Sequence, residues 1–108
     1  MIELTVGQMF ACLPPIMALS RQELNMEQAE KIANFVGAFI DAMVPLEDER
    51  TKLIEAEYDS AEEQRSAVEA FASEKKELPE INFKEFSELR ISPDALVTLK
   101  RAGLYTSA

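Results

Sequence analysis

A run from Asn25 to Tyr58, NMEQAEKIANFVGAFIDAMVPLEDERTKLIEAEY, constrains this chain more than any other stretch. Ile32, Val36, Phe39, Met43, Leu46 and Leu53 recur at spacings of three, four or seven, while Glu27, Lys31, Asn34, Asp41, Asp48 and Lys52 fall on the opposite stripe. That is the signature of one long amphipathic helix with a buried seam and a solvated back. Asn25 is a good cap for it, with Gln28 at the third helical position and Glu27 near the positive end of the helix dipole. Pro45 lacks a backbone donor and crowds the preceding turn, so it predicts a bend or a break. Between Phe35 and Val44 the apolar residues spread beyond the seam to Ala38, Ile40, Ala42 and Val44, which predicts contact on more than one side. Beyond Pro45 the helix becomes an acidic arm, with Arg50 and Lys52 as local counterions and Leu53, Ile54 and Tyr58 as its apolar anchors.

The flanking segments read as packing for that helix. Ile2, Leu4 and Val6 alternate with Glu3 and Thr5 as in a strand with one buried face. Thr5 and Gln8 have the spacing of a capping box, so the strand hands over to a helix near Val6. That helix places Met9, Phe10, Leu13, Ile16, Met17 and Leu19 on one broad side, and Pro14-Pro15 predicts a kink or a restart within it. Ser60 with Glu63 opens a further helix expected to reach Leu78, with Val68, Phe71, Ala72 and Leu78 on its inner side, folded back antiparallel on the arm as a helical hairpin. Pro79 stops it. Ile81-Asn82-Phe83 and Leu89-Arg90-Ile91 alternate again and predict two short strands that could join Met1 to Thr5 in a small sheet. Ser92-Pro93 starts a last helix anchored by Leu96 and Leu99, with Leu104 and Tyr105 close behind, and Lys100-Arg101 before Gly103 stops it. Thr106 to Ala108 are expected to fray.

The expected fold is therefore mainly α with a small β element: a long, proline-kinked central helix in an antiparallel hairpin, short terminal strands and a short C-terminal helix. With 108 residues and no linker or repeat, one domain is expected, made of residues 1–24 (strand and first helix), 25–78 (hairpin) and 79–108 (strands and last helix). A chain this short buries a smaller fraction of its surface than a larger one, which favours covering the remainder with a second copy or another partner.

Charge narrows the choice of partner. Twenty acidic residues against 11 basic ones leave a formal charge of −9, which disfavours a nucleic-acid backbone or an anionic membrane as the main ligand. Any charged partner should be basic. The chain has one cysteine, Cys12, and no histidine, which precludes an intrachain disulfide and the usual zinc ligand sets and removes the commonest general base. Val6 to Ser20 is nearly uncharged but centred on Pro14-Pro15 and preceded by Glu3, a poor signal peptide. Phe35 to Val44 is too short for a bilayer and contains Asp41. A soluble cytoplasmic protein is expected.

The conspicuous chemical feature is the acidic set Glu47, Asp48, Glu49, Glu55, Glu57, Asp59, Glu62 and Glu63. It reads either as a solvated helix face or as an anionic surface that docks a basic protein. Its spacing does not match a calcium loop, which alternates oxygen ligands around a glycine. Cys12, in FACLPP, reads as a small buried hydrophobe with no base to activate it. Gly7 and Gly37 lack the surroundings of a phosphate loop. Met9, Met17, Met26 and Met43, with Phe10, Phe35 and Phe39, read as core or as an adaptable docking surface. No catalytic, cofactor or metal residue is assigned.

In LTVGQM at Leu4 to Met9, LPPIMAL at Leu13 to Leu19, LEDERTKLIEAEY at Leu46 to Tyr58 and ELRISPDALVTL at Glu88 to Leu99, the chain resembles a family of small proteins encoded by tailed phages and prophages. Pro45 departs from that family's pattern. The resemblance implies a phage origin and a site in the infected bacterial cell or the virion, and it carries no functional residues. Together these features lead to the expectation of a non-enzymatic protein that acts through protein contacts as an accessory or structural-assembly component, with a homo-oligomer open. The rival is an acidic inhibitor of a host nuclease, polymerase or defence protein. Neither requires a cofactor.

Overall fold

The computed structural model describes residues 1–106 and shows a mainly helical protein with a small two-stranded sheet. Strand β1 (Ile2–Thr5) leads into helix α1 (Val6–Ser20), the long helix α2 (Met26–Glu55), helix α3 (Ala61–Ser73), strand β2 (Lys75–Leu78), a 3₁₀ turn at Phe83–Glu85 and helix α4 (Pro93–Arg101). The molecule measures 53 × 24 × 24 Å, and α2 sets the long axis. Its radius of gyration of 15.6 Å exceeds the value of about 13 Å expected of a compact chain this size.

Local signals place the helix starts. Thr5 Oγ1 accepts from Gln8 N–H (3.1 Å) while Thr5 N–H donates to Gln8 Oε1 (2.9 Å), a complete capping box. Asn25, Ser60 and Ser92 each accept from the amide three residues on, at Gln28, Glu63 and Ala95. α4 ends in a Schellman motif: Leu104 N–H donates to Leu99 C=O (2.9 Å) and Gly103 N–H to Lys100 C=O (3.1 Å), with Gly103 at φ 78°. The left-handed backbone there is one that only glycine adopts freely.

The α2 seam is buried as its spacing requires: Ile32, Val36, Phe39, Met43 and Leu46 are in the core with Phe35, and Leu53 is half-buried. α2 crosses Pro45 without a break and ends at Glu55, short of Tyr58. Tyr58 lies beyond the helix and donates its hydroxyl to Leu53 C=O (2.9 Å), satisfying one of the carbonyls a helix end leaves open. α1 likewise runs as one helix through Pro14 and Pro15, so the expected restart does not occur. Pro14 is exposed and Pro15 half-buried, and each removes the donor for the carbonyl four residues back.

Five expectations are corrected in the second half. α3 stops at Ser73 rather than Leu78, and residues 75–78 form the strand that pairs with β1 in antiparallel register, Ile2 opposite Leu78 and Thr5 opposite Lys75. Tertiary pairing outweighs the helical propensity of EKKEL. Val6 N–H donates to Glu74 C=O at 2.8 Å, and a Cβ at Gly7 would stand only 3.4 Å from Ala72 O, so α1 starts against the end of α3. Lys75 Nζ answers Glu3 across the sheet at 3.6 Å.

Residues 81–83 are not a strand: Asn82 caps the 3₁₀ turn, and Phe83 N–H donates to Leu104 C=O at 2.8 Å. Residues 89–91 are not one either, because the Gln22 amide takes both backbone groups of Arg90, accepting from its N–H (2.9 Å) and donating to its C=O (2.6 Å). A side chain supplies what a neighbouring strand would have supplied. Val68, expected on the inner side of α3, is 40% exposed, and Phe71 alone of that helix is buried. Thr106, expected to fray, is held by Asn82 through both its N–H and its Oγ1; the fraying expected of residues 107–108 lies outside the described residues.

One core joins all of this. Phe83 meets Phe35 edge to face at 5.8 Å, Phe35 stacks on Phe39 at 6.1 Å, and Phe86 lies 6.2 Å from Phe83. Such pairs contribute roughly 0.5 to 1.5 kcal/mol beyond the area they bury. Two local consequences can be measured by urea denaturation. Pro45→Ala should raise stability by about 2 kcal/mol, because restoring a helix-interior donor is worth ~3 kcal/mol and the freer unfolded chain returns up to ~1; an unchanged midpoint would mean that the proline geometry is itself required. Asn25→Ala removes the α2 cap and a side-chain bond to Glu88 Oε1 (2.8 Å), and should cost about 1 to 2 kcal/mol.

Candidate partner-binding surface

All 20 aspartates and glutamates are solvent-exposed. The acidic set singled out from the sequence is therefore on the surface, but it is not one patch. Glu47 lines a cleft between α1 and α2, and Glu49 lines a different cleft between α2 and α3, facing Ala70, Phe71 and Glu74. Asp48 and Glu55, seven residues apart, share an outer stripe of α2, and Asp48 is paired with Lys52 at 3.0 Å. Glu57 and Asp59 sit in the turn at the hairpin tip, and Glu62 and Glu63 in the first turn of α3, where Glu63 Oε2 accepts from Asp59 N–H at 3.3 Å. Among the described residues, no group of three His, Cys, Asp or Glu side chains is placed to hold a metal ion.

A different surface stands out once the helices are assembled. α1 contains no charged residue from Val6 to Ser20, although 29% of the chain is charged, and it packs on α2, α3 and α4 at once. Its seam Val6, Met9, Cys12, Ile16 and Leu19 is buried, while Phe10, Leu13 and Met17 are half-buried and Ala11, Pro14 and Ala18 exposed. Beside it α2 exposes Ile40 (38%), Val44 (63%) and Ile54 (55%). The residues that sequence spread beyond the α2 seam thus divide: Ala38 and Ala42 are partly covered, and Ile40 and Val44 face water.

Two depressions lie along this α1/α2 face. One, of about 450 Å³, is lined by Phe10, Leu13 and Pro14 against Glu47, Thr51 and Ile54, and the Arg50 guanidinium lies 5.0 Å from the Phe10 ring centre. The other, of about 340 Å³, lies between Leu19 and Leu24 on one side and Ala33, Gly37 and Ile40 on the other. Since α1 and α2 run antiparallel here, Met17 and Val44 fall between the two depressions. The two depressions and the apolar side chains between them are termed the α1/α2 groove.

Nothing in the spacing of α2 alone separated this stripe from the core. The available signal was the charge-free run Val6 to Ser20, which is longer than burial of a single helix face requires.

Cys12 is fully buried in the α1 seam, and burial pushes its thiol from 9.0 up to about 11. Its side chain packs in the core with Met9 and Ile16 of the same seam. No helix among the described residues is long and apolar enough to cross a membrane. No protein-family model, curated protein or solved structure matches the chain.

The raised Cys12 pKa has a testable sign. The folded state disfavours the thiolate, so this contribution to stability is intact below pH 9 and is lost as pH rises from 9.0 through about 11. At pH 8 a disulfide reagent should modify Cys12 only as fast as the chain opens, and at once in urea. Cys12→Ala should lack the cysteine part of the alkaline loss.

Proposed function

We propose that this chain is a non-enzymatic accessory or assembly protein, in keeping with its resemblance to phage-encoded proteins, and that it works by docking another protein on the α1/α2 face. The observation that carries this reading is the uncharged, partly exposed helix α1 beside Ile40, Val44 and Ile54 on a chain of net charge −9. Depletion of charge at the centre of an apolar patch distinguishes interface cores from ordinary surface. Small monomeric proteins rarely leave contiguous apolar faces without a use for them.

The chemistry available supports a contact role over a catalytic one. The thiol is buried and held protonated, and every carboxylate is solvated rather than enclosed in a water-excluding pocket. The acidic hairpin tip around Glu55, Glu57 and Glu62 offers a second docking position, the one an inhibitor of a basic host protein would use.

Photo-crosslinking in the cells that produce the chain separates these positions. A photoreactive phenylalanine derivative replacing Val44 should give a discrete adduct with a second protein. The same group in place of Val97, exposed on α4, should give none. Adducts from Glu62 alone would transfer the function to the acidic tip, and their absence from both positions would remove the contact reading.

A further inference from the structure

The contact reading leaves open what lies in the α1/α2 groove, and the distribution of charge around it narrows the answer. Ala33, Gly37, Ile40, Val44, Thr51 and Ile54 fall on one stripe of α2 with alternating steps of four and three, interrupted by Glu47. This is the spacing with which one helix reads another. At Gly37 nothing lies within 4 Å of where a Cβ would stand, so the first part of the stripe is open to a close-packed neighbour. From Ala33 to Ile54 the stripe spans about 30 Å at 1.5 Å per residue, the length of a helix of about twenty residues.

The edges of the groove are unlike. On the α1 side there is no charge from Val6 to Ser20. On the outer edge of α2, Asp41, Asp48 and Glu55 recur every seventh residue, parallel to the apolar stripe. Asp48 is paired with Lys52, but Asp41, Glu47 and Glu55 have no ion-pair partner among the described residues. Among the described residues, the one cation lining the two depressions is Arg50, which lies over the Phe10 ring.

We infer that the groove takes an amphipathic helix of another protein, apolar along its seam and basic along the flank that lies beside Asp41, Asp48 and Glu55. The inference rests on the contact reading above and adds the chemistry of the partner. A second copy of this chain fits less well. It would bring a matching acidic row against the first and set two chains of charge −9 face to face. Like charges across an interface oppose association, whereas a basic flank is steered in by the same field.

The test uses the intact protein and two labelled synthetic helices of about twenty residues, sized to the groove at 1.5 Å per residue. Both carry leucine along the seam; one has lysine and the other glutamate on the flanks. Fluorescence anisotropy at physiological salt should show the lysine helix binding at least tenfold more tightly than the glutamate helix. Val44→Glu should weaken the lysine helix at least tenfold. That variant adds negative charge, so attraction of a cationic peptide to an acidic surface in general would be strengthened by it. Val97→Glu should not weaken binding, and Asp41→Lys combined with Glu55→Lys should narrow the preference for lysine. Circular dichroism verifies that each variant is folded.

Equal binding of the two helices, no binding of either, or tighter binding to Val44→Glu would each overturn the inference. So would a monomer-dimer equilibrium in light scattering that Val44→Glu abolishes, since the occupant would then be a second copy. If Val44 still crosslinks to another protein while the lysine helix does not bind, the partner chemistry is wrong and the contact reading stands. If both fail, both are withdrawn.

Discussion

Burial of the α1 seam fixes where the rest of the chain can go. Val6, Met9, Cys12, Ile16 and Leu19 are almost wholly out of water, and the helix that carries them contacts β1, α2, α3 and α4. A rod enclosed on that many sides cannot be held by one neighbour. α2 lies along it, the end of α3 closes on its first turn through Val6 and Gly7, and α4 closes on a further side. Each buried aliphatic side chain contributes roughly 1.5 to 3 kcal/mol relative to exposure, so no other helix could leave α1 without a large loss. The absence of charge on α1 is what permits this, because no side chain on it needs a route to solvent.

The same absence explains how a strongly acidic chain keeps its carboxylates out of the core. Its carboxylates are carried on α2, α3, α4 and both strands, at the hairpin tip and on the loops, all exposed to water where mutual repulsion is screened. Irregular segments are held by uncharged amides more than by ion pairs: Gln22 on Arg90, Asn82 on Thr106, and Asn25 on Glu88. Those three clamps do for residues 79–91 what a sheet would have done. They involve partners separated by 24 to 68 positions, which no local pattern reveals.

That separation marks what the sequence could and could not disclose. Helix starts were legible because a cap and its acceptor lie three residues apart, and Thr5, Asn25, Ser60 and Ser92 all act as their spacing implies. The α2 seam was legible for the same reason. The second strand was not, because KKEL has the composition of a helix end and becomes a strand only when β1 pairs with it. The acidic set was visible as a list of residues, but its division among two clefts, an outer stripe and a hairpin tip depends on where α1 and α3 lie around α2. The prolines left the choice between a bend and a break open, and both helices continue through them.

The long central helix therefore has three kinds of face rather than two. Its seam builds the core, its outer stripe is solvated acid, and between them the flank beside α1 is neither fully buried nor charged. In a helix that only builds a core, such a flank is narrow and closed by the long side chains of its neighbours. Here the neighbouring helix has no lysine, arginine or glutamate to extend over Ile40 and Val44, so the flank stays open. The charge-free character that lets α1 be enclosed on its other sides is thus also what leaves this side uncovered. Stability and exposure have the same origin, and a charged residue introduced on the outer side of α1 to cover the flank would close the groove without disturbing the seam.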